Sequence, residues 1–312
     1  MKKLLLLFSI LLLTVYIACG QSSASRPINN QYVLNPVSIN PSFAGGYGAL
    51  NLFTFYGKQW VGVEGSPSTI AFSVDAPFAD QKLGLGLMVE SDKIGVTKEN
   101  LISTSYAYRI DMNTGMLAFG LGASIVLTNT AFSDLVVLDP GDEIYLADTR
   151  TFGVPNFSFG ANYSYRNFFA GFSIPKLLSY SFDFGKNKYV LDNDFSNYSY
   201  LLNTGYMFNV SEKIMLFPSL LMRYSAIPSP SKFQYDINMN VGFFDRFWVG
   251  GSFRNRRNAA AMFQFQPTDQ MKIAYSYNYE ISELGRYSNG SHEIMLRYVF
   301  KYKVDAINPL NF

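Results

Sequence analysis

A hairpin near the end of the sequence, residues 271–300, alternates in side-chain type in a way that few folds accommodate. In its first arm every second residue is apolar or aromatic, and the residues between them are polar or small. A period of two indicates β-strands, because successive side chains point to opposite faces. Each arm has about ten residues, the length that a tilted strand needs to cross a bilayer. The apolar face of the first arm consists of Met271, Ile273, Tyr275, Tyr277 and Tyr279.

The same period returns along most of the chain, and the connections are graded by length. Short connections alternate with longer ones, of which 129–155 and 174–197 are the longest. Short turns at one rim and long loops at the other are typical of outer-membrane barrels, with the turns in the periplasm. We therefore predict an all-β chain: a single 14-stranded antiparallel transmembrane β-barrel over residues 49–300. The predicted strands are 49–57, 68–76, 82–91, 101–110, 116–128, 156–165, 168–173, 198–209, 214–224, 234–243, 247–253, 259–266, 271–279 and 291–300.

The two ends of the chain differ from this pattern. Residues 1–20 read as a signal peptide, with Lys2 and Lys3 before a short apolar run. Cleavage after Gly20 is expected, although Cys19 after Ala18 leaves a lipoprotein signal as an alternative. We expect residues 21–48 to form a short periplasmic N-terminal segment and 301–312 a periplasmic C-terminal tail. An even strand count places both termini in the periplasm of a cell with an outer membrane.

The composition of the chain limits the classes of partner that it is expected to bind. Of 25 Lys and Arg residues, Lys2 and Lys3 lie in the leader, which leaves 23 against 23 Asp and Glu. A mature net charge near zero gives no basic stripe, so no nucleic-acid partner is expected. The single cysteine lies in the leader, so the processed chain contains no thiol. Outer-membrane lipid is the expected surrounding of the barrel.

The predicted inward face is small and polar. It includes Gly120, Gly122, Ser158, Gly160 and Asn203. Such a lumen is either a water-filled pore or is plugged by loops or by the N-terminal segment, and the sequence leaves both open.

The N-terminal segment carries the most distinctive motif, NPVSINP, with Asn35, Pro36, Asn40 and Pro41. Proline flanked by asparagine favours turns and a preset backbone. This motif suits either a rigid plug or docking surface, or a simple cap on the barrel. We take these four residues as candidate partner contacts.

Other residue types give weaker indications of chemistry. His292 is the only histidine, and a hydrolase site with Ser291 or Ser288 and Glu293 is conceivable, but packing near the outer mouth is the simpler interpretation. Trp60 is either an interfacial anchor or a partner hot spot. Arg254, Arg256 and Arg257 are expected in a solvated outer loop, with pairing to acidic lipopolysaccharide or an acidic partner as the alternative.

An acidic stretch offers oxygen ligands. Calcium binding there is an alternative to turn formation and partner contact, for which Asp139 and Asp142 are candidates. The stretch comprises Asp134, Asp139, Asp142, Glu143 and Asp148. No enzyme, cofactor or metal site is predicted.

Several stretches resemble the PorP/SprF family of the type IX secretion and gliding-motility machinery of Bacteroidetes. The similarity covers nearly the whole mature chain. Its residues are QYVLNPVSINPSFAGGYGALNL (31–52), KQWVGVEGSPST (58–69), KLGLGLMVESDKIG (82–95), SDL…LDPGDE (133–143), PNFSFGANY (155–163), SIPKLL (173–178), FWVGGSFR (247–254) and SHEIMLRYVF (291–300).

The resemblance implies an outer-membrane barrel that helps to secrete or anchor a surface adhesin carrying a type IX C-terminal sorting domain. It also implies contacts with periplasmic ring or peptidoglycan-binding subunits of the secretion system. The main alternative is a transport channel of the fatty-acid-transporter type, since INPSFAG at 39–45 is a partial echo of such proteins.

Overall fold

A computed structural model describes residues 28–131, 133, 151–183, 188–191, 198–225, 233–255 and 258–300. Its described part contains seventeen β-strands: β1 (Leu50–Lys58), β2 (Ser68–Phe78), β3 (Leu83–Ile94), β4 (Thr97–Met112), β5 (Gly115–Thr130), β6 (Phe152–Tyr165), β7 (Phe168–Ile174), β8 (Tyr180–Asp183), β9 (Lys188–Leu191), β10 (Ser199–Tyr206), β11 (Phe208–Ser211), β12 (Ile214–Ser225), β13 (Phe233–Phe243), β14 (Phe247–Arg254), β15 (Asn258–Phe265), β16 (Met271–Glu280) and β17 (Ser291–Phe300).

The strands form one closed antiparallel barrel. Each wall strand pairs with its sequence neighbour, and β1 pairs with β17 from Leu50↔Phe300 to Lys58↔His292, which closes the cylinder. β10 and β11 both pair with β12 and together make one wall strand, interrupted at Met207. β8 and β9 form a separate hairpin. The wall therefore has fourteen strands, as predicted, and closure leaves no edge of the described wall unpaired.

The two faces of the wall sort by polarity. On β16, Lys272, Ala274 and Ser276 are at most 1% exposed and point inward, while Ile273 and Tyr275 are 38% and 39% exposed on the outside. The same alternation holds on the other strands, for example with Ile70 and Phe72 outside and Ala71 and Ser73 inside. The outer surface is thus apolar, as a lipid-facing wall must be.

Connections at one end of the barrel, the turn mouth, are all short: 79–82, 113–114, 166–167, 212–213, 244–246 and 266–270. At the other end, the loop mouth, five connections are longer: 59–67, 131–151, 175–198, 226–232 and 281–290. The prediction of a long connection over 92–100 is wrong. β3 and β4 continue to Ile94 and Thr97, so only two residues join them. Outside the lipid, water contacts both faces of a strand, so the side chains there need not alternate. β3 and β4 therefore stay hydrogen-bonded to each other beyond the point where the apolar alternation ends.

The hydrophobic core lies inside the barrel. Apolar side chains from residues before β1 pack against inward-facing wall residues in two clusters. One joins Tyr32, Val33, Ile39, Phe43 and Tyr47 to Phe169, Leu201, Phe217, Leu221, Trp248 and Val299; the other joins Leu34 to Phe53, Phe55, Ala71, Ala274 and Met295. The inward face is therefore not uniformly small and polar as predicted, because the wall carries bulky residues where the segment packs.

Candidate functional site

Residues 28–49, which we call the lumen segment, occupy the interior of the barrel. The segment folds into three single 3-10 turns, Tyr32–Leu34, Pro36–Ser38 and Pro41–Phe43. Most of its side chains are buried, and Ala44, Asn40 and Ser42 are 0% exposed. Of the two possibilities that the sequence left open, a pore and a plugged lumen, the structure shows the plugged one.

The NPVSINP motif sets the backbone of this plug. Pro36 and Pro41 each begin a turn, where a missing N–H removes no hydrogen bond. The side chain of Asn40 caps the last turn: its Oδ1 accepts from the Ser42 backbone N–H at 3.0 Å and from the Ser42 hydroxyl at 2.6 Å. Asn162 on β6 adds a wall contact to this turn, because its Nδ2 donates to the Ser42 hydroxyl at 2.9 Å and to the Ser42 carbonyl at 3.1 Å.

The same asparagine joins the plug to the wall. Its Nδ2 donates to the carbonyl oxygens of Ala161 on β6 at 3.2 Å and of Phe172 on β7 at 3.1 Å. Nearby, the Ser173 hydroxyl donates to the Ile39 carbonyl at 2.7 Å. The middle of the segment is thereby hydrogen-bonded to two adjacent strands.

Inward-facing glycines provide the space for this contact. A Cβ atom on Gly160 would lie 1.9 Å from Asn40 Oδ1, and one on Gly120 would lie 2.2 Å from the Ser42 nitrogen. On β3, a Cβ on Gly84 would lie 1.9 Å from the Ala44 carbonyl oxygen. Since real Cβ atoms do not approach this closely, only glycine allows the segment to lie against the wall here.

Two charged wall residues hold the segment at the turn mouth. Asp75 accepts from the Gly45 N–H at 2.8 Å and from Asn51 Nδ2 at 2.7 Å. The Arg109 guanidinium donates to the Ala44 carbonyl and, at 3.0 Å, to the carbonyl of Gln81 in the β2–β3 turn. This end of the segment is therefore tied to both strand and turn.

A second set of polar groups holds it at the loop mouth. Arg254, the last residue of β14, forms a two-pronged ion pair with Asp236, with distances of 2.9 Å and 2.6 Å, and donates to the Ile28 carbonyl at 2.9 Å. Asn30 donates from Nδ2 to Glu293 at 3.0 Å and also to Asn278. Both ends of the lumen segment are thus bound to the wall, at opposite mouths.

Two buried tyrosines brace the segment between these ends. The Tyr47 hydroxyl donates to the Leu34 carbonyl at 3.0 Å, and the Arg297 guanidinium lies over the Tyr47 ring, 4.7 Å from its centroid. The Tyr32 hydroxyl accepts from Asn238 at 3.4 Å. Tyr47 therefore links two parts of the segment, and Tyr32 links the segment to β13.

The candidate contact residues fall into separate places. Asn35, Pro36, Asn40 and Pro41 are buried in the lumen, where a partner meets them only if the segment is displaced. Trp60 lies at the loop mouth, where its backbone N–H donates to Ser291 at 3.0 Å and its indole N–H to Glu280 at 3.4 Å. The acidic residues Asp134, Asp139, Asp142, Glu143 and Asp148 lie outside the described residues.

His292 does not meet the groups that a hydrolase site would need. It points outward between tyrosines, with Nδ1 2.7 Å from the Tyr275 hydroxyl and its ring 5.3 Å from that of Tyr277. Ser291 and Glu293 precede and follow it on the strand and so point into the lumen, where Glu293 accepts from Ser276. The geometry matches the simpler interpretation, in which His292 packs against neighbouring side chains near one mouth of the barrel, here the loop mouth.

Sequence reasoning missed the charged residues that hold the plug. Arg254 was expected in a solvated outer loop with Arg256 and Arg257; instead its side chain is 4% exposed and faces the lumen, while the other two lie outside the described residues. Asp75, Arg109 and Asp236 had a usable signal, because the phase of the alternation places each of them inward. A charge on an inward position next to a buried segment requires a partner.

Within the described residues no helix is long and apolar enough to cross a membrane. No group of three or more His, Cys, Asp and Glu side chains in that part of the chain is placed to hold a metal ion.

Solved structures of outer-membrane proteins resemble the fold. A monoaromatic hydrocarbon channel, CymD, gives a TM-score of 0.49 at 10% identity, with 90% of this chain and 95% of that chain covered. The Acinetobacter baumannii outer membrane protein Omp33 gives 0.48 at 9% identity, covering 81% and 98%. The KdgM porin gives 0.38 at 11% identity, covering 80% and 99%.

No curated protein matches the sequence. The family profile described as type IX secretion system membrane protein PorP/SprF matches residues 21–298, nearly the whole chain after the predicted leader. The matched span includes the lumen segment and all but the last two residues of the wall. This chain belongs to the PorP/SprF family of type IX secretion system membrane proteins.

Proposed function

We propose that this outer-membrane component of the type IX secretion system is non-enzymatic and helps to secrete or anchor a surface adhesin. In this proposal the loop mouth faces the outside of the cell and holds the exported protein. The turn mouth faces the periplasm and contacts ring or peptidoglycan-binding subunits. The wall is solvated by outer-membrane lipid.

The observation that carries the proposal is the filled lumen. Within the described residues, a segment bound by wall side chains at both mouths and hydrogen-bonded to β6 and β7 at its middle occupies the lumen. Partners therefore meet the protein at its mouths rather than inside it. The plug also counts against a permanently open pore, although plugged lumens occur in outer-membrane transporters as well.

The loop mouth offers a preformed surface for an exported protein. Asn156 Oδ1 accepts from the backbone N–H groups of Leu177 and Leu178 at 3.0 Å and 3.1 Å, and its Nδ2 donates to the Leu178 carbonyl at 2.7 Å. The Phe152 and Tyr189 rings meet edge to face at 5.5 Å. These contacts hold Leu177, Leu178 and Tyr189 against β6, so a partner that binds to these three residues has few side chains to order.

Removing the hairpin tests this role. We would replace residues 179–197 with a short Gly-Ser connection, which keeps the base held by Asn156, and measure the cognate adhesin on cells and in the medium. We expect a normally assembled barrel and an adhesin that is lost from the surface. Substituting Glu212→Ser and Lys213→Ser in an exposed turn at the other mouth is the comparison, and an equal loss of surface-held adhesin in that variant would show that the effect is not specific to the loop mouth. An adhesin still secreted and surface-held after deletion of the whole gene would refute the proposal.

A conductance measurement distinguishes the proposed secretion role from that of a transport channel. The purified protein in a planar bilayer is expected to show no sustained ion flux, because the plug fills the lumen. Sizeable steady solute flux through the unmodified protein, measured by conductance or liposome swelling, would favour the transport channel instead.

A further inference from the structure

One side of the lumen segment faces the wall across a small cavity that is lined mainly by amide side chains. Asn30 and Gln31 line it from the segment, and three residues line it from the wall: Asn238 and Asn240 on β13 and Gln264 on β15. Each of these five residues is at most 7% exposed. The cavity has room for about one water-sized particle.

The side-chain oxygens of these five amides share one property: none of them accepts a hydrogen bond from the described residues. The orientation of two of the amides is fixed by their nitrogens. Gln31 Nε2 donates to the Tyr275 carbonyl at 3.0 Å, and Asn30 Nδ2 donates to Glu293 at 3.0 Å. Exchanging oxygen and nitrogen in either amide would place two oxygens against each other, so the atoms left unpaired are acceptors.

A glycine in the wall gives one of these oxygens its position. Gly250 lies on β14, the strand between that of Asn240 and that of Gln264. A Cβ atom on Gly250 would lie 2.2 Å from Asn240 Oδ1. The Asn240 oxygen therefore lies over β14, on a surface that any larger residue at position 250 would fill.

The number of acceptors limits what can satisfy them. Buried acceptors without a partner are costly, so a set of five around one cavity calls for a ligand. One water molecule donates two hydrogens and therefore satisfies two of the five oxygens. A hard cation is bound by several oxygens at once, and amide carbonyl oxygens are among its usual ligands.

The charge beside the cavity favours a single positive charge. Glu293 accepts from the Asn30 backbone N–H at 3.2 Å and from the Ser276 hydroxyl at 2.7 Å, and no ion pair within the described residues includes it. Arg254 is already paired with Asp236. Calcium and magnesium sites use carboxylates as ligands, whereas the unpaired oxygens here are neutral. A monovalent cation therefore fits this site better than a divalent one.

We infer that an alkali-metal cation, Na⁺ or K⁺, binds in this cavity and joins the lumen segment to β13 and β15. The cation adds a tie between the plug and the wall, on a different part of the wall from the bonds that Asn40 makes to β6 and β7. The inference does not depend on the proposed role in secretion.

A salt comparison on the purified, folded protein tests the binding. The midpoint of heat unfolding, read from heat-dependent mobility, is measured in sodium, potassium or N-methylglucamine acetate at equal ionic strength. We expect at least one alkali cation to raise the midpoint by about 3 °C or more, with a saturable dependence on its concentration. Equal midpoints in the three salts would overturn the inference.

A matched pair of variants tests the location. Gln264→Met keeps the length of the side chain but removes its oxygen, and should raise the half-saturating cation concentration about tenfold or more. Asn203→Leu is the control, because Asn203 is a buried amide on β10 that does not line the cavity. It should leave the half-saturating concentration unchanged even if it lowers the midpoint. Equal changes of that concentration in both variants would count against this site.

Thallium(I) locates the cation directly in crystals of the unmodified protein, because it replaces K⁺ and scatters anomalously. We expect an anomalous peak between Asn30 and Gln31 on the segment and the amides of β13 and β15. Density at this place without an anomalous signal would mean that water alone occupies the cavity and would overturn the inference.

Discussion

Gly160 on β6 lies so close to Asn40 of the lumen segment that a Cβ atom would sit 1.9 Å from the Asn40 side-chain oxygen. At this position the plug lies so close to the wall that there is no room for even a methyl group. This contact and the polar groups at both mouths give predictions that separate the stability of the plug from that of the barrel.

Gly160→Ala is expected to displace the middle of the lumen segment, because the added methyl overlaps a 0% exposed side chain. Overpacking of this kind costs about 1–3 kcal/mol. Single-channel recording should show intermittent conductance that the unmodified protein lacks. Gly251→Ala is the matched control, since Gly251 faces outward and its Cβ would meet no atom closer than 3.6 Å. Equal conductance for the two variants would contradict the prediction.

Asn40→Asp is expected to loosen the plug although it hardly changes the size of the side chain. The carboxylate has the shape of the amide but no N–H groups, so it faces the Ala161 and Phe172 carbonyl oxygens without a donor. Leaving buried groups unpaired costs about 1–3 kcal/mol each. We would measure protease cleavage within residues 28–49 in detergent, with heat-dependent mobility reporting the wall. If the variant is cleaved no faster than the unmodified protein, the hydrogen bonds of Asn40 do not hold the segment in place.

Asp236→Ala should destabilise the protein strongly, because it leaves the Arg254 guanidinium buried without its carboxylate. The side chains are 2% and 4% exposed, and breaking a buried pair by removing one partner costs about 3–5 kcal/mol. Urea unfolding in lipid vesicles measures the change. The double variant Asp236→Leu, Arg254→Met should recover much of the loss, since neither charge of this pair remains. A double variant as unstable as Asp236→Ala would show that the pair is not the cause.

Trp60→Ala distinguishes an anchor from a partner hot spot. The tryptophan is half-buried, and its indole bond to Glu280 is long at 3.4 Å. We expect barrel assembly and adhesin retention both to stay near the unmodified level, as for an interfacial anchor at the rim. A tenfold or greater loss of adhesin retention with a normally folded barrel, corresponding to at least 1.4 kcal/mol, would assign Trp60 to the partner interface instead.

The wall of this protein could be predicted because the lipid around it requires every second residue of each strand, the one that faces outward, to be apolar. Fourteen predicted strands match fourteen wall strands, and the last begins and ends at Ser291 and Phe300 as expected. The interior could not be predicted in the same way. Phe53, Phe169, Phe217 and Trp248 face inward because they pack against the segment, and alternation alone treats such residues as lipid-facing or ambiguous.

The polar residues that hold the plug could not be predicted from the alternation of side chains, because their burial depends on which residues they pair with. Arg254 lies next to a loop sequence and resembles a solvated arginine, and only its contact with Asp236 and Ile28 shows that it is buried. The NPVSINP motif indicated turns, and Pro36 and Pro41 each begin one. Its position inside the barrel depends on contacts with strands more than a hundred residues away, which local sequence does not encode.

The lumen segment continues directly into the first wall strand, with Ala49 followed by Leu50. Because the plug and the barrel are one chain, a displaced plug cannot diffuse away. It remains near its site at an effective concentration in the millimolar range, as short tethers provide. Resealing is therefore a unimolecular event whose rate does not depend on how much protein the cell makes.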